Sequence, residues 1–569
     1  MEAAEKLLTK NLDVWTSAVK SKSSAGRGSN KKQELYGIAK LRELILELAV
    51  RGLLVPQNPD DEPASELLES IIKKNAQLTK VGALKKQRPQ PTTRESDEPF
   101  TRPSGWEFAR FGDVFTLEYG NNLPAPKRSE TGEFPVYGSN GVVGTHKESC
   151  IDQPCIVVGR KGSAGALNLC LSDGCWVTDV AYSVVPPSPL CLEFVFLHFH
   201  TLGLDALGKG IKPGLSRKEA YRLVFCIPPL AEQRRIVDKV DELMALCDKL
   251  ELEQESCLDT HDTLVATLLG TLTNSVADAS RFAQAWQRIQ DNFDVLFTTE
   301  DSIDQLKQTI LHLAVLGKLA SQDPDDEPAE STLNLLGKVR SELLGNGYPN
   351  PSEAKAQLRK QSKQKTPTNL EKLPCGWTWA TLMQTSTILI DCHNKTAPYV
   401  PNGIPLIRTT NIRNGSLNFR EPKFVTSEIY ERWSARAYPE PGDILITREA
   451  PMGEACIIPE GVQLCMGQRI MLARVSPEYV DARYVLITIK SPDMMDRIQD
   501  KPVGATVKHL RVGGVESMLI PLPPLAEQRR IVAKVEELEA LCDQLKGRVF
   551  EAQNTQLNLA DSLVEQAVR

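Results

Sequence analysis

Apolar residues return at alternating steps of four and three through residues 236–250, at Ile236, Val240, Leu243, Cys247 and Leu250. The same spacing then meets Gln254 and His261 before Leu264 and Leu268. A second stretch repeats it at Ile531, Val535, Leu538, Cys542, Leu545, Val549 and Ala552. A seam held for about two to three heptads predicts a long helix with one buried stripe. Pro-Pro precedes the stripe in both copies, and a glutamate in the first turn suits the helix dipole. Each helix could lie on its own domain. Near-identical sequence, similar length and matched spacing favour pairing with each other, through Ile236, Val240, Leu243 and Leu250 on one and Ile531, Val535, Leu538 and Leu545 on the other. Two shorter amphipathic stretches carry Ile38, Leu41, Ile45 and Ile303, Leu306, Ile310; Gly52 and Gly317 after them suit left-handed C-terminal caps. Neither is long enough to stand alone, so both are expected beside the long helices.

The sequence repeats as well as the pattern. Residues 228–250 and 523–545 differ only at Asp238/Ala533, Asp241/Glu536, Met244/Glu539 and Lys249/Gln544. Pro-Asp-Asp-Glu-Pro-Ala follows each short helix, and Pro-x-Gly-Trp-x-x-Ala begins at Pro103 and at Pro374. Six segments result: a helical region with a basic linker (1–102), an insert (103–227), a long helix (228–272), a second helical region and linker (273–373), a second insert (374–522) and a second long helix (523–569). The inserts themselves do not repeat. A duplicated frame around two different inserts suits one task performed at two different sites.

Both inserts read as mixed, mainly β domains, which makes the fold class α+β. Residues 134–144 predict strand, turn and strand about Asn140-Gly141, and 155–162 a buried strand opening into Gly-Arg-Lys-Gly. In the second insert, residues 404–415 and 442–449 again end strands in charged, hydrogen-bonding loops. Glycine lets backbone approach a phosphate, and Arg, Lys, Asn, Gln, Ser and Thr carry the donors that read base edges. The DNA-facing candidates are Ser139, Asn140, Arg160, Lys161, Lys212, Ser216, Arg217 and Lys218 in the first insert. In the second they are Arg408, Thr410, Asn411, Arg413, Arg448, Gln468, Arg469, Lys508 and Arg511.

The net charge of −6 does not by itself suggest a polyanion partner. Its distribution changes that picture: residues 15–33 carry Lys20, Lys22, Arg27, Lys31 and Lys32 and residues 80–94 carry Lys80, Lys85, Lys86, Arg88 and Arg94, both with no acid, and Lys355, Arg359, Lys360, Lys363 and Lys365 occupy the matching place in the second repeat. These linkers are either simply solvated or flank a polyanion. Thirteen cysteines, an odd number, fit buried thiols in a reducing cytoplasm better than a disulfide framework. No run approaches the ~20 apolar residues of a membrane span. Methyltransferase and phosphate-loop signatures are missing. Asp391 with Glu421-Pro-Lys423 only loosely mimics a nuclease site. Cys150/Cys155, Cys170/Cys175 and His198/His200 lack Cys-x2-Cys pairing, so they read as structural groups with no metal. The Pro-Asp-Asp-Glu-Pro turns at 59–63 and 324–328 are taken as structural.

The duplicated Pro-Pro-Leu-Ala-Glu-Gln-Arg-Arg-Ile-Val, the duplicated Leu-Ala-Val-x-Gly-x-Leu, Tyr137-Gly-Ser-Asn-Gly141 and Gly159-Arg-Lys-Gly162 together resemble the specificity subunit of a Type I restriction–modification enzyme. The extended N-terminus and Pro-Asp-Asp-Glu-Pro-Ala repeats are similar to its EcoA-like branch. The resemblance spans essentially the whole chain. It implies a non-catalytic subunit with two target-recognition domains, each reading one half of a split, asymmetric double-stranded DNA target. It also implies an antiparallel coiled coil with pseudo-twofold symmetry that fixes the spacing. Two modification subunits would hold S-adenosylmethionine, and two restriction subunits would use ATP and Mg; no cofactor is expected here. Val503–Leu510 departs from the Pro-Gly-Leu-Ser of 213–216, so that loop is expected to contact DNA differently. A duplicated coiled-coil adaptor whose inserts bind protein is the alternative, and a methyltransferase is the third reading.

Overall fold

The computed structural model describes residues 9–21, 33–82, 94–129, 131–209, 214–499 and 509–568. The chain forms two compact units, 1–258 with 551–569, and 259–550. Each long helix therefore contributes a segment to both.

In the first unit the short helix Tyr36–Val50 buries Ile38, Leu41, Leu44, Ile45 and Leu48 along one face. It ends at Gly52, whose φ of +71° lets the Leu53 N–H reach back to the Leu48 carbonyl at 3.0 Å. The first long helix, Leu230–Asn274, enters the same core with Ile236 and Val240 fully buried and Leu243, Leu250 and Leu258 packed against it. Ala560, Leu557, Leu563 and Val564 from the far end of the second long helix, Leu525–Val568, share that core. The short helix bonds to both: Arg42 to Asp248 at 2.7 Å and Tyr36 to Asp561 at 2.7 Å.

The second unit mirrors this arrangement. The late residues Val265, Leu269 and Leu272 of the first long helix share a core with the early residues Ile531, Val535, Leu538 and Leu545 of the second. In each unit the start of one long helix thus shares a core with the end of the other, the antiparallel arrangement. The short helix Glu300–Val315 joins in through Lys546 to Asp304 at 2.8 Å, and Gly317 has φ +66°. The seam is thus a helical bundle rather than a bare two-stranded coil, because each short helix offers an apolar face that is too small to be stable alone.

The repeated motifs form one knot in each unit. Trp106 Nε1 donates to Glu232 Oε2 at 3.0 Å, and Trp377 Nε1 to Glu527 Oε2 at 3.0 Å. Gln233 accepts from the Cys191 N–H, as Gln528 does from that of Asp481. Arg235 meets Asp61, and Arg530 meets Asp326, each at 2.6 Å. The two acidic turns therefore anchor arginines of the long helices.

The inserts share a topology although they share no evident sequence repeat. The first has an antiparallel four-stranded sheet in the order Glu118–Tyr119, Ala181–Val184, Cys155–Gly159, Leu167–Cys170. The second has Ile388–Asp391, Ile470–Arg474, Ile444–Thr447, Ala455–Ile457 in the same order. Each adds a three-stranded sheet with one parallel pair: Phe134–Gly138 beside Trp176–Val177, and Ile404–Ile407 beside Cys465–Met466. Each is closed by its first and last strands, Glu107–Arg110 with Val224–Ile227 and Thr378–Thr381 with Leu519–Leu522. The strands Cys155–Gly159 and Ile444–Thr447 are buried along their whole length because both faces are covered. Ile156 and Val158 face the main core while Cys155 and Val157 face a second, smaller one.

Candidate nucleic-acid interface

In the first insert the predicted residues gather where strands end. Gly159 closes the central strand; a Cβ there would lie 2.0 Å from the Ser163 carbonyl oxygen and 2.4 Å from that of Ser139. Only glycine allows this approach, which sets the Ser139-Asn140 turn against the Arg160-Lys161 loop. The Leu215 N–H donates to the Arg160 carbonyl at 2.9 Å and brings Ser216, Arg217 and Lys218 to the same rim. Asn140, Lys161 and Lys218 are exposed; Ser139, Arg160, Ser216 and Arg217 are half-buried. Lys212 lies outside the described residues.

Tyr119, absent from the sequence-based set, organises this rim. The Arg160 guanidinium sits 4.9 Å from its ring centroid and that of Arg217 4.3 Å. Arg160 also donates to the Asp179 carbonyl at 2.8 Å, and Arg217 to that of Leu117 at 3.3 Å. Two cations are thus held side by side by a ring and by backbone oxygens, with no carboxylate among these contacts. Burial pushes the neighbouring Tyr182 hydroxyl up to about 12, so it remains a neutral hydrogen-bonding group.

Arg448 occupies in the second insert the place of Arg160 in the first. The Leu510 N–H donates to its carbonyl at 2.8 Å, and its own N–H donates to Arg469 at 2.8 Å; Arg160 makes the equivalent bonds with Leu215 and Val180. The surroundings differ. Arg448 is 8% exposed, with Nη2 3.3 Å from the Asp391 carboxylate. Asp391, Asn394, Arg448, Gln468, Arg469 and Val512 line a recess of about 310 Å³. Gln468 donates to the Asn394 carbonyl at 3.0 Å. Arg469 is exposed, takes φ +65° and meets Glu449 at 3.2 Å. Asp391, Asn394 and Glu449 were not in the predicted set; their partners are distant in sequence, so no local spacing marks them.

Arg408, Thr410, Asn411 and Arg413 form a neighbouring loop. Asn411 is 4% exposed; its Oδ1 accepts from the Arg408 N–H at 3.0 Å and its Nδ2 donates to Asn418 at 2.8 Å. Its amide shapes the loop instead of facing outward. Arg408 donates to the Glu421 carbonyl at 3.1 Å and Arg413 to that of Thr409 at 2.7 Å. Thr410 and Arg511 are exposed, and Lys508 lies outside the described residues.

Two unlike polar rims thus stand on two like scaffolds, and the class of protein they belong to is a DNA sequence-recognition subunit, as the family match shows. A family model described as "Type I restriction modification DNA specificity domain" matches residues 103–256 and 391–551, more than half of the chain. The chain belongs to the specificity subunits of type I restriction–modification systems, on the EcoA-like branch, and is non-catalytic. It is 34% identical to the type I restriction enzyme EcoEI specificity subunit of Escherichia coli, over 100% of both chains. It is equally 34% identical to the EcoAI specificity subunit of Escherichia coli, again over 100% of both. A solved structure described as the HsdS subunit from Thermoanaerobacter tengcongensis aligns with a TM-score of 0.36 at 18% identity, over 83% of this chain and 99% of that one. DNA and partner subunits of a restriction–modification complex follow from the family. Among the described residues, no helix is long and apolar enough to cross a membrane.

Proposed function

We propose that each insert reads one half of a bipartite, asymmetric double-stranded DNA target, and that the long helices set the unspecified spacer between the halves. The observation that carries this reading is the shared strand order of two inserts whose rims differ: Arg160 on Tyr119 in one, Arg448 on Asp391 in the other. Equivalent placement supports one mode of approach to DNA, and different chemistry supports different sequences. Ser139, Asn140, Arg160, Lys161, Lys212, Ser216, Arg217 and Lys218 serve the first half. Arg408, Thr410, Arg413, Arg448, Gln468, Arg469, Lys508 and Arg511 serve the second, with Asn411 holding their loop. In the cytoplasm the duplicated frame docks two modification subunits that carry S-adenosylmethionine and two restriction subunits that carry ATP and Mg. This chain's own task is to place those partners by sequence. Replacing residues 374–522 with the corresponding segment of another family member, and mapping methylated adenines, tests the reading. Only one half of the target should change; change in both halves, or in neither, contradicts it.

A further inference from the structure

Four of the thirteen cysteines fall within residues 150–175, spaced Cys-x4-Cys-x14-Cys-x4-Cys. The spacing lacks a Cys-x2-Cys pair, and along the sequence these residues read as buried structural thiols. The fold changes the question, because it joins three of them across strands. Cys155 opens the central strand and stands opposite Cys170 in the antiparallel register, while Cys175 precedes the strand Trp176–Val177. All three are buried, and their sulfurs lie within 4.8 Å of one another, Cys155 and Cys175 at 3.7 Å. A tetrahedral thiolate site with Zn–S of about 2.3 Å has sulfur–sulfur edges of about 3.8 Å. Cys150 lies beside the cluster but outside it: its N–H donates to the Cys175 carbonyl at 2.9 Å, and its sulfur accepts the Val177 N–H at 3.2 Å.

The surroundings suit a structural metal. The small core here consists of Tyr137, Cys155, Val157, Cys170, Cys175, Val177 and Ala181, so three of its seven buried members are cysteines and only one side chain is large. It joins the hairpin Phe134–Gly138/Gly141–His146 to the four-stranded sheet. Such a small apolar core contributes little by itself, whereas a metal site contributes folding free energy directly. The second insert has the same strand order, yet among its described residues no comparable group occurs; Cys456 and Cys465 are buried thiols on strands of their own.

We propose that Cys155, Cys170 and Cys175 bind one zinc ion that pins the hairpin bearing Ser139 and Asn140 to the sheet of the first insert. On binding, the three thiol protons pass to solvent and three thiolates hold the ion. This assignment does not depend on which bases the hairpin reads.

The test uses the full chain, expressed with added zinc and purified under reducing conditions. Elemental analysis should find about one zinc per chain. Cobalt(II) exchanged into the wild-type protein should give the sulfur-to-cobalt charge-transfer band and strong visible bands of a tetrahedral thiolate site. Cys155→Ser and Cys175→Ser should lose the metal, and Cys456→Ser should keep it. The proposal is overturned by wild-type protein with neither stoichiometric zinc nor cobalt–thiolate bands, by zinc retained in both serine variants, or by a Cys155–Cys175 disulfide in the purified chain. The cobalt spectrum decides even if the serine variants do not fold.

Discussion

The indole N–H of Trp106 donates to the carboxylate of Glu232 at 3.0 Å, across 126 residues of sequence, inside the junction of insert and long helix. Glu232 is 1% exposed and its other oxygen has no partner. Burial pushes its carboxyl above the usual range, with Trp106 and Arg235 opposing that shift. Trp106→Phe removes the donor and leaves a buried carboxylate less satisfied, which costs about 1–3 kcal/mol. Urea unfolding should show a lower midpoint. Trp377→Phe, which breaks the equivalent bond to Glu527, should do the same to the second unit. An unchanged midpoint in both variants would show that the indole is present only for packing.

Tyr119 holds two arginines, so its effect should exceed its own contact with DNA. Tyr119→Leu frees Arg160 and Arg217 from a shared ring worth about 0.5–1 kcal/mol per exposed cation. Binding of the assembled complex to its target should weaken a few-fold, with relaxed choice in one half-target. Competition assays with each half mutated in turn measure this; equal relaxation of both halves would contradict the assignment.

Asp391 and Arg448 are both nearly buried, with side chains 11% and 10% exposed. Asp391→Ala leaves the guanidinium without its carboxylate, at a cost of about 3 kcal/mol or more. Removing both charges, as Asp391→Leu with Arg448→Met, should be milder than Asp391→Ala alone. A double-mutant cycle in thermal unfolding checks this; simple additivity would mean that the two groups do not depend on each other.

His198 gives the first unit a specific acid sensitivity. Its Nε2 accepts the Cys226 N–H at 3.0 Å, and its ring stacks on Phe225 at 4.2 Å. Burial pushes its pKa from 6.5 down to about 4. The unfolded chain therefore binds the proton more readily, so the stability present above about 6.5 is lost as pH falls towards 4. The slope approaches about 1.4 kcal/mol per pH unit within that window. His198→Gln should be less stable at neutral pH yet flatter between pH 7 and 5; parallel curves for the two proteins would rule this out.

The frame was legible because its signals are local and occur twice. A 4,3,4,3 stripe after Pro-Pro marks a long helix wherever it occurs, and Gly52 or Gly317 marks where a short one stops. The rim was legible in part. Gly159 and Asn140-Gly141 announce strand ends, and strand ends carry loops. What those loops do was not legible, because Tyr119 meets Arg160 and Arg217 only after the chain has folded back. Asn411 looked like an outward amide because nothing in its local pattern reveals that Arg408 and Asn418 consume both of its ends. The common topology of the inserts was hidden for a related reason: strand order is set by pairings between distant residues, and many unlike apolar runs satisfy it.

The strands that open and close each insert are hydrogen-bonded to one another, Glu107–Arg110 with Val224–Ile227 and Thr378–Thr381 with Leu519–Leu522. Everything between them leaves and returns through a doorway two strands wide. The frame meets each insert at that pair of ends, beside the same tryptophan and the same glutamate, and at one further point, where Gln233 holds Cys191 and Gln528 holds Asp481. A replacement that keeps those two strands and that one further contact should be received as a cartridge is, without moving the hinge. If each insert reads its own half-target, a new target needs only a new segment between two short repeated seams, with the frame left as it is.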